Sequence, residues 1–193
     1  MNHLTPTQLA YLAGIMDGEG EFAIHKYLRK DGKKRVRGFG LKPSVRIAQA
    51  RKPLLDSIAQ DCGQEHAHIG RTGRGGAYFV LRFHHDYLKW LIPQLVPLLR
   101  LKREQASIVL EFLNMPKSIG RKGVGSKEWQ RRLRLRYRCC RLNATPQALE
   151  KHRQNGTLPH YRRETTEKPF ILTVPDHVYP LPVDFIKKLE TQE

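Results

Sequence analysis

Residues Tyr11–Phe22 read YLAGIMDGEGEF, and this stretch decides how the rest of the chain is interpreted. A run of apolar and small residues passes into alternating glycines and acids, which places Asp17, Glu19 and Glu21 at every second position. The 193-residue chain has a formal net charge of +17, yet no Lys or Arg precedes Lys26. Negative charges destabilise the C-terminus of a helix. Three carboxylates at the end of the first hydrophobic segment therefore indicate a function other than helix stability.

The charge of the chain indicates a polyanionic partner. Lys and Arg number 35 against 18 Asp and Glu, and such a field attracts nucleic acid and speeds encounter with it. The charge is uneven: residues 25–52 hold eleven basic residues and one acid, residues 116–141 hold ten and one, and residues 142–193 hold seven of each. An ordinary surface mixes the two signs, so the first two segments are candidates for nucleic-acid contact.

Composition excludes several classes of protein. No run of about 18 apolar residues is present, so no membrane span is expected. No long basic amphipathic helix with a rich apolar face supports a membrane partner. The N-terminal segment lacks the basic start of a signal peptide. Cys62, Cys139 and Cys140 are odd in number and two of them are adjacent, which argues against a disulfide framework and favours a reducing, intracellular setting.

Two local patterns suggest metal sites that the spacing does not support. DGEGEF resembles the start of a calcium loop, but Phe22 and Leu28 occupy the positions that need Gly and Glu. Cys62, His66 and His68 have no second ligand pair at zinc-finger spacing.

Periodicity predicts an α+β fold. Thr5 and Gln8 form a capping-box pattern for a helix that ends near Asp17, followed by two strands with period-two alternation, at about 20–29 and 35–49. A helix to Gly63, a hairpin with a turn at 73–76, and further helices follow. The order αββαββα predicts a curved four-stranded antiparallel sheet with helices on one face, a cationic bare face that serves as a DNA-binding saddle, and extra C-terminal helices.

The segment Leu12–Gly20, LAGIMDGEG, resembles the LAGLIDADG motif of homing endonucleases. Glu19 replaces the second Asp of the motif and keeps the carboxylate. The resemblance extends over about residues 5–143. It is strongest to the single-motif type that group I introns encode. In that type, a helix region that supplies an active-site lysine is similar to Leu95–Phe112. It implies an endonuclease core at 1–143 and leaves 144–193 as a C-terminal extension without an assigned role.

The resemblance also implies a catalytic centre shared by two copies of the chain. The motif helices of a homodimer would meet through Ala10, Ala13 and Gly14, whose small side chains allow close approach. Glu19 of both copies, with the Gly18 carbonyl, would bind Mg²⁺ or Mn²⁺, and Ca²⁺ would bind without supporting cleavage. The other implied active-site residues are Asp17 as a structural acid, Gln49 and Lys102 as catalytic residues, and a basic residue for which Arg51 and Lys52 are both candidates.

By the same resemblance, the chain would cleave both strands of a long pseudo-palindromic DNA target and leave short 3′ overhangs. The alternative is a non-catalytic intron RNA maturase or a DNA-binding relic on the same scaffold, and an enzyme could also bind intron RNA. The expected location is an organelle (chloroplast or mitochondrion) or the prokaryotic cytoplasm. The predicted DNA-binding residues are His25, Tyr27, Arg29, Lys42, Ser44 and Arg46 on the strands, with Arg71 and Arg74 from the hairpin.

Overall fold

The structure is a computed structural model that describes residues 4–30, 36–72, 76–116, 127–145 and 147. None of the helices in these ranges is long and apolar enough to cross a membrane. All of the elements lie in the unit Met1–Thr145, so the role of the predicted extension at 144–193 stays untested. The bounds in chain order are α1 Pro6–Glu19, β1 Gly20–Lys30, β2 Val36–Gln49, α2 Lys52–Cys62, a 3-10 turn Gln64–His66, β3 Ala67–Thr72, β4 Tyr78–Phe83, α3 His85–Leu95, α4 Arg103–Asn114 and α5 Lys127–Asn143.

Helix α1 begins at the predicted capping box and runs two residues further than predicted. The Thr5 N–H donates to Gln8 Oε1 at 2.8 Å, and the Gln8 N–H donates to Thr5 Oγ1 at 3.3 Å. The helix ends at Glu19, where Gly20 turns into extended backbone and its N–H donates to the Met16 carbonyl. A Cβ at Gly20 would lie 2.6 Å from that carbonyl oxygen, so only glycine allows α1 to pass directly into β1.

The four strands form one antiparallel sheet in the order β1-β2-β4-β3. Gly20 pairs with Ile47, and Ile47 pairs with Leu81, so the apolar positions of three strands fall on the same face. The predicted αββαββα order and the antiparallel sheet are therefore confirmed. Helix α3 runs through Pro93 and ends two residues later at Leu95.

The hydrophobic core lies between one face of the sheet and helices α1 to α4. Burying a large apolar side chain contributes about 1.5–3 kcal/mol to folding, so this layer holds the sheet and the helices together. Ala13, predicted to face a partner helix, is instead 2% exposed inside this core, because its side chain lies on the same side of α1 as Leu12 and Met16. The largest fully buried side chains include Met16, Phe22, Ile47, Leu55, Leu81, Leu88, Leu91 and Leu99.

Helix α5 packs against the outer strand β1 and against α4. Asn143 Nδ2 donates to the Phe22 carbonyl at 2.7 Å, and Cys139 Sγ lies 3.2 Å from the same oxygen. An edge strand presents unpaired carbonyls that invite association with other chains, and α5 satisfies one of them here. The basic segment at 127–143 is thus also a structural part of the core unit.

Candidate active site and nucleic-acid interface

The three carboxylates after the motif helix have three different environments. Asp17 accepts three backbone N–H groups at the start of α4, from Arg100 at 2.7 Å, Lys102 at 2.9 Å and Leu101 at 3.1 Å. Burial opposes ionisation of this carboxyl, but these donors and the Lys102 ammonium outweigh it and lower the pKa of Asp17 below its ordinary value. These donors lie just before α4, and they compensate for the unfavourable position of an anion at the C-terminus of α1.

Lys102 reaches back from the N-cap of α4 to the end of α1. Its Nζ donates to the Gly20 carbonyl at 2.6 Å and to the Gly18 carbonyl at 3.2 Å. Burial lowers the pKa of Lys102, and the carboxylates of Asp17, Glu19 and Glu21 partly offset that effect. The structure therefore places this ammonium beside the Gly18 carbonyl and within the field of all three acids.

Glu21 forms an ion pair with Arg46 on the neighbouring strand, to which it lies directly opposite. Each side chain is only 17% exposed, so the pair lies against the sheet and does not extend into solvent. The Glu21 carboxylate is consequently committed to a partner within the chain.

Glu19 is the third of these acids. It is exposed at the end of α1, and it makes no hydrogen bond or ion pair with another described residue. The Gly18 carbonyl beside it has a second lone pair besides the one that faces Lys102. These hard oxygen donors fit Mg²⁺, which needs one or two carboxylates and keeps several waters. No group of three or more acidic, His or Cys side chains that could hold a metal ion lies together in the described part of the chain.

Gln49 ends β2 on the same side of the sheet as the end of α1. Ile47 pairs with Gly20, the first residue of β1, so Gln49 lies two residues beyond the last paired position of β1. Of the two candidates for the basic residue, Lys52 is held by Asp56 at 2.6 Å, whereas Arg51 is exposed and makes no hydrogen bond or ion pair with another described residue. Arg51 is therefore the less constrained of the two candidates.

The polar face of the sheet carries most of the predicted DNA-binding side chains. It consists of the positions opposite the core, where Ala23 pairs with Ser44, His25 with Lys42, and Tyr27 with Gly40. The Tyr27 ring covers Gly40, at which a Cβ would lie 2.7 Å from the Tyr27 hydroxyl oxygen, and Lys42 Nζ lies 5.9 Å from the centre of that ring. The exposed Tyr27 side chain and the Lys42 ammonium therefore lie close together on this face.

His25 lies on this face among charged groups. Burial lowers the pKa of His25, Glu21 opposes this effect, and the cations Arg46, Lys42 and Arg136 add to it. The imidazole is therefore neutral near pH 7, with one ring nitrogen as donor and the other as acceptor.

Of the predicted DNA-binding residues, Arg71 needs correction, and two others lie outside the described residues. Arg71 pairs with Phe79, and both share the face of Ile69 and Leu81, so Arg71 lies on the core side of the sheet and not on the polar face. Its guanidinium carbon sits 5.3 Å from the centre of the Phe79 ring. Arg74 and the side chain of Arg29 lie outside the described residues.

Sequence reasoning missed two residues of the polar face, His68 and Arg82. They pair with each other across β3 and β4, and Arg82 also pairs with Arg46. The alternation in Tyr78–Phe83 contains the signal, because Arg82 occupies the polar position between buried Leu81 and Phe83.

The exposed side of α1 carries small residues that the chain itself does not need. Ala10 and Gly14 are exposed, and a Cβ built at Gly14 or at Gly18 would meet nothing within 4 Å. Glycine within a helix costs about 1 kcal/mol relative to alanine, and nothing among the described residues explains either glycine. Tyr11, 52% exposed, borders this stripe of Ala10, Gly14 and Gly18.

Comparisons with known proteins identify the fold. No protein-family model and no curated protein matches the sequence, whereas several solved structures match the fold. An archaeal intron-encoded homing endonuclease complexed with DNA matches with a TM-score of 0.60 and 18% identity, over 72% of this chain and 86% of that one. The homing endonuclease I-CvuI, in complex with uncleaved DNA in the presence of magnesium, matches with a TM-score of 0.53 and 19% identity, over 79% of this chain and 96% of that one.

A third solved structure matches over a smaller share of its own chain. The I-LtrWI LAGLIDADG homing endonuclease bound to target DNA matches with a TM-score of 0.54 and 15% identity, over 70% of this chain but 45% of that one. The chain therefore corresponds to nearly all of I-CvuI and to less than half of I-LtrWI. The fold of this chain is that of the LAGLIDADG homing endonucleases.

Proposed function

We propose that the protein is a divalent-metal-dependent, site-specific DNA endonuclease that acts as a homodimer. The observation that carries this proposal is the division of the three acids. Asp17 is bound by backbone N–H groups and Glu21 by Arg46, which leaves Glu19 exposed next to the Gly18 carbonyl. An exposed carboxylate beside a carbonyl, on a chain of net charge +17, provides a place where a cation would be held against phosphates.

The homodimer is proposed because, among the described residues, one chain offers a single unpaired carboxylate, that of Glu19, at the end of α1. The stripe of Ala10, Gly14 and Gly18 ends at Glu19, so helices that pack along this stripe bring two copies of Glu19 together.

Magnesium bound there supplies a Lewis acid that lowers the pKa of a bound water and relieves charge on the departing oxygen. Glu19 and the Gly18 carbonyl would bind it, and Ca²⁺ would occupy the same oxygens without supporting hydrolysis. The Lys102 ammonium, held at the Gly18 and Gly20 carbonyls, stabilises negative charge that develops on the phosphate. Gln49 donates and accepts hydrogen bonds at the same end of the sheet and orients water, and Arg51 adds a second cation.

The polar face of the sheet would bind double-stranded DNA through its major groove. Solved structures of this fold contain DNA, which supports that choice of partner. With one active site at a two-fold axis, the target is pseudo-palindromic, each subunit contacts one half, and both strands are cut with short 3′ overhangs.

The test is cleavage of a randomised duplex library in Mg²⁺, compared between the wild type and Glu19→Gln. We expect cleavage at a selected sequence by the wild type and no cleavage by Glu19→Gln, with binding retained in both. Glu65→Gln, which neutralises an exposed acid of the 3-10 turn, serves as the matched control and should cleave normally. Selective binding without cleavage by the wild type would contradict the proposal and support the alternative, a non-catalytic nucleic-acid binder such as an intron RNA maturase.

A further inference from the structure

Helix α5 buries two arginines on the side that packs against the rest of the chain. Arg132 and Arg136 lie one turn apart and are each 8% exposed, among buried residues such as Trp129, Leu135 and Cys139. The Nε atom of each guanidinium is enclosed and has no hydrogen-bond partner. A buried charge without a counterion destabilises a fold, so each of the two arginines requires a physical explanation.

The contacts of Arg132 show that it has a structural role. Its Nη2 donates to the Pro116 carbonyl, and its guanidinium carbon lies 4.8 Å from the centre of the Phe112 ring. Burial lowers the pKa of Arg132, and the carboxylate of Glu128, one turn earlier on the helix, opposes that effect. Arg132 therefore joins α5 to the end of α4.

Arg136 has no comparable contacts. It makes no hydrogen bond or ion pair with another described residue. Glu128 is the only acid of α5 and lies about two turns away, and Glu21, the only acid of β1, is bound to Arg46. Arg136 is thus a charged group that is largely withdrawn from water and whose counterion is not found among the described residues.

The guanidinium of Arg136 lies at the outer edge of β1. Burial lowers the pKa of His25 and of Lys26, and the charge of Arg136 contributes to the lowering at both residues. Successive residues of a strand point to opposite faces, so a group that acts on both lies beside the strand and not over one face. Because β1 is an outermost strand and His25 belongs to the polar face, Arg136 lies where that face ends.

We propose that Arg136 binds a backbone phosphate of DNA that lies on the polar face, and that this phosphate is the counterion that Arg136 lacks in the free chain. The inference rests on the proposed DNA-binding function and deepens it with a contact from outside the sheet. A duplex that receives the polar face in its major groove has its phosphates along the edges of that face. A guanidinium donates two parallel hydrogen bonds to phosphate oxygens, and the Nη atoms of Arg136 are not among the enclosed atoms.

A phosphate at Arg136 couples DNA binding to the packing of α5 on β1. In the free chain, the unpaired charge opposes the burial of this side of α5. In the complex, the phosphate neutralises that charge, so α5 is held more firmly against the strand. The contact is independent of sequence, because every base pair carries the same phosphates. Removal of the charge should therefore stabilise the free chain and weaken the complex.

The experiment compares the wild type with Arg136→Met, in which an apolar side chain of similar length replaces the guanidinium. Free Arg136→Met should unfold at the wild-type temperature or above it. Its affinity for a short fluorescent duplex, measured without divalent metal so that no cleavage occurs, should fall roughly 10-fold at low salt. The slope of log affinity against log salt concentration should become shallower by about one for each bound chain. The duplex should slow hydrogen exchange of α5 more in the wild type than in the variant.

Arg131→Met is the matched control, because it removes the same charge from the same helix at an exposed position, where Arg131 is paired with Glu111. It should keep the wild-type salt slope. Arg136→Lys keeps the charge and loses the two parallel donors, so it should bind the duplex more weakly with an unchanged slope.

A wild-type salt slope in Arg136→Met, or wild-type affinity in Arg136→Lys, overturns the inference. A lower unfolding temperature of free Arg136→Met together with a wild-type slope also overturns it, since the counterion would then be a carboxylate of the chain itself. These outcomes leave duplex binding by the wild type intact and so differ from a failure of the proposed function. A wild type that binds no duplex contradicts both proposals.

Discussion

Asp17 Oδ1 accepts the backbone N–H of Lys102 at 2.9 Å, across 85 residues of sequence. This bond joins the C-terminal end of α1 to the N-terminal end of α4. Lys102 completes the connection in the other direction, because its Nζ binds two carbonyls at the end of α1. The position of the Lys102 ammonium relative to the exposed Glu19 is therefore fixed by the Asp17 carboxylate and by backbone groups. These groups are not themselves expected to contact the substrate.

Replacement of Asp17 should destabilise the fold. Asp17→Ala leaves three N–H groups at the start of α4 without their acceptor, and we expect a loss of about 2–3 kcal/mol in the free energy of unfolding near pH 7. The folded pKa of Asp17 is below the unfolded value of 3.8, so its contribution is complete above that value and disappears as the pH falls through the lower, folded pKa. Urea unfolding of wild type and variant at several pH values should show the two stabilities converging in acid.

The control for that prediction is Asp56→Ala, which removes an exposed i,i+4 pair with Lys52. Such a pair contributes only about 0.3–0.5 kcal/mol. Equal losses in the two variants would contradict the role assigned to the Asp17 cap.

Lys102→Met should separate catalysis from folding and binding. The variant removes the ammonium that stabilises developing charge, and we expect the single-turnover cleavage rate to fall roughly 100- to 1,000-fold. Affinity for the target should change much less, because the polar face remains intact. Lys89→Met, at an exposed position of α3, is the matched control and should cleave like the wild type.

Gly14→Leu should prevent self-association without harming the monomer. A side chain at Gly14 meets open space within the chain, and leucine forms helix better than glycine, so the monomer should be equally or more stable. The bulky side chain would keep a second α1 at a distance. Sedimentation equilibrium should show a dimer for the wild type and for Ser57→Leu, an exposed control on α2, but a monomer for Gly14→Leu. A dimer of Gly14→Leu with normal affinity would place the interface elsewhere.

Asn143→Ala should loosen α5 from the edge of the sheet. The Phe22 carbonyl would keep only the weak thiol donor of Cys139, so we expect a loss of about 1–2 kcal/mol. Hydrogen exchange should become faster in α5 and β1 more than in α2. Asn114→Ala, at the exposed end of α4, should have little effect, and faster exchange throughout the chain would instead indicate global destabilisation.

Local patterns were sufficient to predict the elements of the fold. The capping box at Thr5 and Gln8, and the change from helical to period-two spacing at Gly20, lie within short windows of sequence, and both are confirmed. The end of α1 was predicted two residues too early, because the glycines were read as a stop. In the structure Gly18 remains helical and only Gly20 is extended.

Features that depend on partners distant in sequence could not be predicted from those windows. Arg71 was grouped with the DNA-binding residues because it is basic, whereas its face is decided by pairing with Phe79. Arg82 was missed for the same reason, since its importance comes from β4 lying next to β2 in the sheet. Ala13 was grouped with Ala10 and Gly14 by size, although only its position around the helix determines which side it faces.

The length of the side chain matters at Asp17 but not at Glu19, the two acids of the motif. The Asp17 carboxylate is enclosed by three donors at 2.7–3.1 Å, so one additional methylene would force it out of register with all of them. Glu19 projects from the end of the same helix into open surroundings. The side-chain length required there depends on the bound metal ion and not on other residues of the chain. Interchange of Asp and Glu should therefore be tolerated at position 19 and forbidden at position 17, which makes these two neighbours distinguishable by the single substitution that preserves charge.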